Sequence, residues 1–350
     1  MTSSAPTESI LEPDLPIIDP HHHLWDWPAA LFAGRPVPQH GFDIVIRRAM
    51  RYLLPEFLAD LNTGHNIRAT VFVQCGAMYR SDAPDAFKPV GETEFVNGVA
   101  AMCASGTYGP VRACAGIVGH VDLTCGAVVS EVLEAHLKAG GDRFRGIRHS
   151  ASYDADPNVL GPLARVGAGL YAAKAFRQGY AQLEKFDLSF DAWLLEPQLP
   201  ELIDLARSFP NTPVILDHVG TPLGIAGYQG RREERFSVWR DHIAKLAALP
   251  NVSVKLGGLA MAFCNFPSFL QSPPASSTQL AAEWKPYIET CIELFGVDRC
   301  MFESNFPVDM GSCTYLTLWN AFKVLAKHYS SDEKTALFSG TAQRVYRLKI

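Results

Sequence analysis

A single α/β domain, a TIM-like (β/α)8 barrel with long βα loops, is the fold this sequence predicts, on three observations. Eight short runs of apolar and β-branched residues recur along the chain. Helical periodicities fill most of the intervals between them, and polar residues gather at the C-terminal ends of the runs. Strands alternating with helices imply a parallel sheet with both faces covered, and eight such units imply closure. The main rival, an open doubly wound sheet, places a glycine-rich phosphate turn after its first strand. Here three histidines stand in that place.

The first run, 17–21, leads into His21-His22-His23. In a regular strand alternate residues share a face, so Asp19, His21 and His23 are expected to point one way and His22 the other. The later runs are 68–75, 111–120, 144–149, 186–192, 213–218, 252–256 and 299–305. Before the sixth, Leu199, Leu202, Leu205, Ala206 and Phe209 repeat at helical spacing and stop at Pro210. Before the eighth, Leu280, Trp284, Tyr287, Ile288, Cys291 and Phe295 do the same, with Gly296 as the stop. Ser330 and Glu333 form a capping box for the last helix. The longest irregular segments mostly follow the C-terminal ends of strands, the catalytic face of a barrel.

The 350 residues are 48% hydrophobic and 19% charged, with a formal net charge of −5. No basic block is present, which argues against a nucleic-acid partner. No apolar run approaches the roughly 18 residues that a bilayer span needs. The first residues lack the basic and apolar regions of a signal peptide, so residues 1–15 are expected to be a disordered lead-in and 16–350 the barrel. Eight cysteines form no Cys-x-x-Cys pair and read as reduced residues, mostly in the core of a cytoplasmic protein. The expected partner is a small-molecule substrate, and a homo-oligomer is compatible with this composition.

Site candidates follow from the strand ends. His21 and His23 close the first run and suit a divalent metal or a substrate oxygen. Arg148 and His149 end the fourth, Asp191 ends the fifth, and His218 ends the sixth. His218 follows Val214 and Leu216 at period two, which sends Asp217 to the other face as a loop-capping or supporting group. Lys255 on the seventh run and Glu303 on the eighth are candidates for an ion pair. Such convergence is a better site signal than any one residue.

These segments together resemble the amidohydrolase-2 family, in its lactonase-like branch. The resemblance rests on Asp-x-His-x-His at 19–23, Arg-Gly-Ile-Arg-His at 145–149, Val-Ile-Leu-Asp-His-Val-Gly-Thr-Pro at 214–222, Asn-Val-Ser-Val-Lys-Leu-Gly-Gly-Leu at 251–259 and Met-Phe-Glu-Ser-Asn-Phe-Pro-Val-Asp at 301–309. It implies a TIM-like barrel and hydrolysis of a lactone C–O bond. It also implies that His21, His23 and His218 are active-site histidines and that Arg148 and His149 contact substrate. The family commonly has Gly-Ser-Asp-Trp-Pro after its eighth strand, and Asn305 occupies that aspartate's position here. Glu303, on the Asn305 face, is then the candidate base, and Asp309 a weaker one.

The cofactor reading is one zinc or other divalent ion on His21, His23 and either His218 or Glu303, or no metal, since the family includes metal-free members. The leading function is hydrolysis of a small lactone, with catalysis by His21, His23, His218 and Glu303. Arg148, His149, Trp25 and Asn305 would bind substrate. Two alternatives stand beside it: a metal-dependent aromatic-acid decarboxylase, and a non-catalytic relative that only binds ligand.

Overall fold

A computed structural model describes residues 8–34 and 37–350. Eight parallel strands form one sheet in sequence order. They are β1 (Ile17–His22), β2 (Ile67–Val73), β3 (Arg112–Gly119), β4 (Phe144–Arg148), β5 (Ser189–Ala192), β6 (Val214–Leu216), β7 (Val252–Leu256) and β8 (Cys300–Phe302). All eight predicted runs are strands. The sheet closes through a parallel bridge between His22 and Phe306. The His23 amide donates to the Phe306 carbonyl at 2.8 Å and the Asn305 amide to the His21 carbonyl at 2.9 Å.

A helix follows every strand: α1 (Leu54–Leu61), α2 (Val90–Ala104), α3 (Val128–Gly140), α4 (Lys174–Tyr180), α5 (Leu199–Ser208), α6 (Arg232–Ala247), α7 (Ser277–Phe295) and α8 (Tyr315–Leu325). The apolar spacing noted above defines α5 and α7. Gly296 ends α7 with φ +75°, a conformation that side-chain-bearing residues rarely adopt. The Ser330–Glu333 capping box opens a short helix, Ser331–Thr335.

Two apolar layers result. The larger lies between strands and helices, and holds Ile17, Phe72, Phe190, Val214, Leu216, Val254 and Phe302. The smaller fills the barrel with Ile18, Val71, Val118, Ile215 and Met301. A C-terminal helix, α9 (Thr341–Val345), brings Ala342, Tyr346 and Leu348 into this inner cluster. No helix among the described residues is long and apolar enough to cross a membrane.

The lead-in expectation is corrected over residues 8–15, while residues 1–7 lie outside the described ones. Glu8 accepts from the Ser277 amide at 2.7 Å, and Asn320 Nδ2 donates to the Ser9 carbonyl at 2.9 Å. Lys323 Nζ donates to the Leu11 carbonyl at 2.7 Å. The segment thus spends its polar groups on α7 and α8, contacts that composition alone does not reveal.

The turn after β2 hangs on one buried carboxylate. Glu92, in the first turn of α2, accepts from the amides of Cys75 at 3.1 Å and Ala77 at 2.8 Å. Burial pushes its pKa up to about 7. The folded state therefore holds this proton more tightly than the unfolded state, whose value is near 4.5. The associated stability is fully present below pH 4.5 and is lost as pH rises through about 7, a change on the order of 3 kcal/mol. Glu92→Gln, which does not titrate, should show a shallower fall in urea stability between pH 5 and 8 than the wild type. Parallel pH profiles would refute this role.

Candidate active site

Above the apolar plug, the strands turn charged side chains toward the axis. Lys255 Nζ lies 2.7 Å from Asp191 Oδ2 and 3.0 Å from Asp217 Oδ1, all fully buried. Arg148 Nη1 lies 3.3 Å from Asp217 Oδ2, and its Nη2 donates to the Gln74 carbonyl. From below, Tyr346 donates its hydroxyl to Asp191 Oδ2 at 2.6 Å. Burial raises Asp191 to about 6 even against Lys255. For Asp217 burial acts upward too, but Lys255, His218 and Arg148 outweigh it and hold the carboxyl below its ordinary value. Burial likewise opposes the Lys255 charge, and Asp191, Asp217 and Glu303 reverse that and raise its pKa.

Three expectations are corrected here. Lys255 pairs with Asp191 and Asp217, not with Glu303. Asp217 is a central member of the site. Val214 and Leu216 face the helices while Ile215 faces the axis, so strand alternation carries Asp217 inward. His218 reaches the site another way. Its backbone leaves the strand at φ +57°, ψ +39° and swings the imidazole back.

Asp19 and His21 likewise do not share a face. Asp19 pairs with Thr70 and His22 with Phe72, so β1 carries an extra residue between them. This bulge inverts the alternation. Asp19 therefore accepts from Ser304 Oγ at 2.6 Å and Tyr315 Oη at 3.0 Å, and His21 points inward. His22 stacks on Phe57 at 4.1 Å, with Nε2 2.8 Å from Thr70 Oγ1. His23 sets Nδ1 2.8 Å from the Val73 carbonyl.

Glu303 joins the two remaining histidines. Its Oε1 lies 2.7 Å from His218 Nδ1 and also accepts from the His218 amide at 3.1 Å. Its Oε2 lies 2.7 Å from His21 Nδ1. The His21 and His218 rings are 4.6 Å apart, and Arg148 Nη1 lies 3.2 Å from His21 Nε2. Burial, then Lys255, drives the His21 pKa well down, and burial then Arg148 does so for His23. One donor atom from each of His21, Asp217 and His218 lies within 4.8 Å of the others, a grouping able to hold a metal. His23 is outside that group, in contrast to the expected His21, His23 and His218 set.

Above this cluster opens a cavity of about 720 Å³. His218, Arg148, His149, His23, Trp25 and Asn305 line it, while Glu303, His21, Asp217 and Lys255 lie beneath. His149 Nδ1 accepts from the Leu123 amide at 3.3 Å, and burial with the nearby His120 lowers its pKa to about 4. Asn305, at φ +53°, donates Nδ2 to Asp309 at 2.8 Å. Burial holds the Asp309 carboxyl well above its ordinary range. The sequence reading underrated Asp217 and the Gly257-Gly258 pair. Signals for both were present, in the inward Ile215 and in the paired glycines directly after β7.

Known proteins share this architecture. The sequence profile described as amidohydrolase matches residues 18–348. An uncharacterised protein of Sinorhizobium fredii is 33% identical over 345 residues, 96% of this chain and 99% of that one. An L-fucono-1,5-lactonase of Burkholderia multivorans is 27% identical over 336 residues, 95% of this chain and 96% of the relative. Crystal structures of a B. multivorans amidohydrolase, with bound HEPES or bound zinc, superpose with TM-scores of 0.71 and 0.70. Both are 25% identical and cover 95% of this chain and 99% of their own.

The two glycines make the room that the cluster needs. A Cβ on Gly257 would lie 2.4 Å from Glu303 Cγ, and one on Gly258, at φ +67°, 2.4 Å from His218 Cγ. Gly258→Ala should therefore displace His218, lowering turnover and costing about 1–3 kcal/mol of stability. Unchanged turnover and melting temperature would refute the space-making role.

Proposed function

The chain belongs to the amidohydrolase family, and from that premise we propose that it hydrolyses a lactone to the corresponding hydroxy acid. The observation that carries this reading is the single Glu303 carboxylate at 2.7 Å from Nδ1 of both His21 and His218, under a cavity lined by Arg148. The lactonase relatives support it.

In this scheme His218 donates Nδ1–H to Glu303, which leaves the Nε2 lone pair to accept a proton from water. The water oxygen adds to the lactone carbonyl carbon. Arg148, with a buried Nε that has no hydrogen-bond partner, faces the charge growing on the carbonyl oxygen. His218 then returns the proton to the ring oxygen as the C–O bond breaks. Glu303 lies against the imidazolium formed between these steps, so its role is to orient and stabilise His218 and not to touch water. His149 and Trp25 shape the cavity. The unpaired cysteines support a reducing, cytoplasmic compartment.

The donor set fits one divalent cation, zinc by analogy with the crystal structure. Fixing the Nδ1 of His218 on Glu303 turns the Nε2 lone pair of that histidine outward, as in metal sites whose histidines are oriented by carboxylates. His21, Asp217 and His218 would hold it, His218 then serving as a ligand in place of its role as base, with Arg148 Nη1 beside His21 Nε2. When bound, the cation supplies polarisation of the carbonyl and a lowered pKa for water.

Glu303→Gln should cut lactone turnover by about 100-fold or more with the fold retained, because the His218 base loses the carboxylate that orients it and stabilises its imidazolium. Full activity in that variant would overturn the scheme. Carbon dioxide release from a hydroxybenzoate without lactone opening would instead favour the decarboxylase reading, for which the aromatic cavity wall is the one specific argument. Zinc titrated calorimetrically into the protein should bind one-to-one, with the site lost in Asp217→Asn and His21→Ala but kept in His23→Ala. No saturable uptake by the wild type, or loss in His23→Ala, would refute this ligand set.

A further inference from the structure

We propose, resting on the lactone-hydrolase reading, that the preferred lactone carries an apolar ring that packs on Trp27. The argument starts at β1. The imidazole of His23 stacks on the indole of Trp25 at 5.9 Å and 20°. Trp25 stacks in turn on half-buried Trp27 at 4.5 Å and 5°. Three flat rings thus form a continuous ladder along the cavity from the histidine cluster toward solvent. Across the cavity stands Trp193, its ring 5.7 Å from the Arg148 guanidinium. Both faces of Trp25 are covered by its neighbours, so a planar apolar group would pack on Trp27 at the open end of the ladder, with release of water.

Some polar groups of the wall are engaged within the protein. Trp25 donates its Nε1–H to the Ala49 carbonyl at 2.6 Å. Asp43 pairs with Arg47 at 3.4 Å, Asn305 holds Asp309 at 2.8 Å, and Ser150 donates to Ser152 at 3.0 Å. The cavity, at about 720 Å³, is also in the range that encloses ligands well beyond one six-membered ring.

The test compares kcat/KM for dihydrocoumarin, a benzo-fused lactone, with that for δ-valerolactone, an unsubstituted reference, in the wild type and in Trp27 variants, because a change of this ratio on substitution is independent of the greater intrinsic reactivity of the aryl ester. Trp27→Ala should lower the dihydrocoumarin to δ-valerolactone ratio by about 10-fold, and Trp27→Phe, which keeps a ring, should largely restore it. An unchanged ratio in Trp27→Ala would overturn this inference and leave the lactone-hydrolase reading standing. If neither lactone is opened, that reading falls, and quenching of indole fluorescence by coumarin still decides the wall. Saturable quenching that is lost in Trp27→Ala upholds the apolar preference, and no quenching overturns it.

Discussion

The Lys255 ammonium, sealed between Asp191 and Asp217, is the interaction on which the rest of the molecule depends. Taking an ion out of water costs several kcal/mol unless partners repay it. Here each charge is repaid by another that has the same need: Lys255 by two aspartates, Asp217 also by Arg148, and Asp191 also by Tyr346. The groups come from β4, β5, β6, β7 and the C-terminal segment. No subset of these elements satisfies them, so the closed barrel is a condition of the charge layer as well as its container. Removing one partner from such a set leaves the others uncompensated, which makes the layer brittle to substitution and rigid in the native state.

Rigidity here serves chemistry. Glu303 accepts from the His218 amide as well as facing two imidazoles, so its carboxylate has little freedom left. A base whose tautomer and ring plane are fixed in advance needs no reorganisation when its proton arrives. The glycines after β7 belong to the same logic, since any side chain there would occupy the space of Glu303 or His218. Asn305 is drawn in as well. Its amide bonds Asp309 and its backbone closes on His21, so this departure from the usual aspartate has a structural duty.

Most of the architecture was legible because barrel strands are short, apolar and evenly interrupted, and all eight runs could be located by composition alone. The facing of side chains was less so. Strand alternation extended through Asp19 gives the wrong face, because the bulge is set by pairing with β2, and its one mark in the sequence of β1 is Pro20, a residue that sheets admit mainly at edges and bulges. His218 was assigned to the site on an alternation that in truth favours Asp217, and it arrives through a left-handed backbone turn. Lys255 was recognised as an ion-pair residue, yet its partners depend on the depth at which each strand enters the barrel. Residue types at strand ends announce a site, whereas the pairing of particular atoms is decided by register.

The seam between β1 and β8 has a bearing on how the chain folds. Ser304 Oγ donates to Asp19 Oδ2 at 2.6 Å across 285 residues of sequence, and contacts of such separation form late because loop-closure entropy must be overcome first. Until they form, the sheet has two unpaired edges of the kind that invite association with other chains. A buried Asp–Ser–Tyr cluster at that seam favours one correct closure over apolar collapse in a shifted register, because only the native register satisfies the carboxylate. The interaction that looks merely structural is therefore also a checkpoint on assembly, acting at the moment when an incomplete barrel is most prone to aggregate.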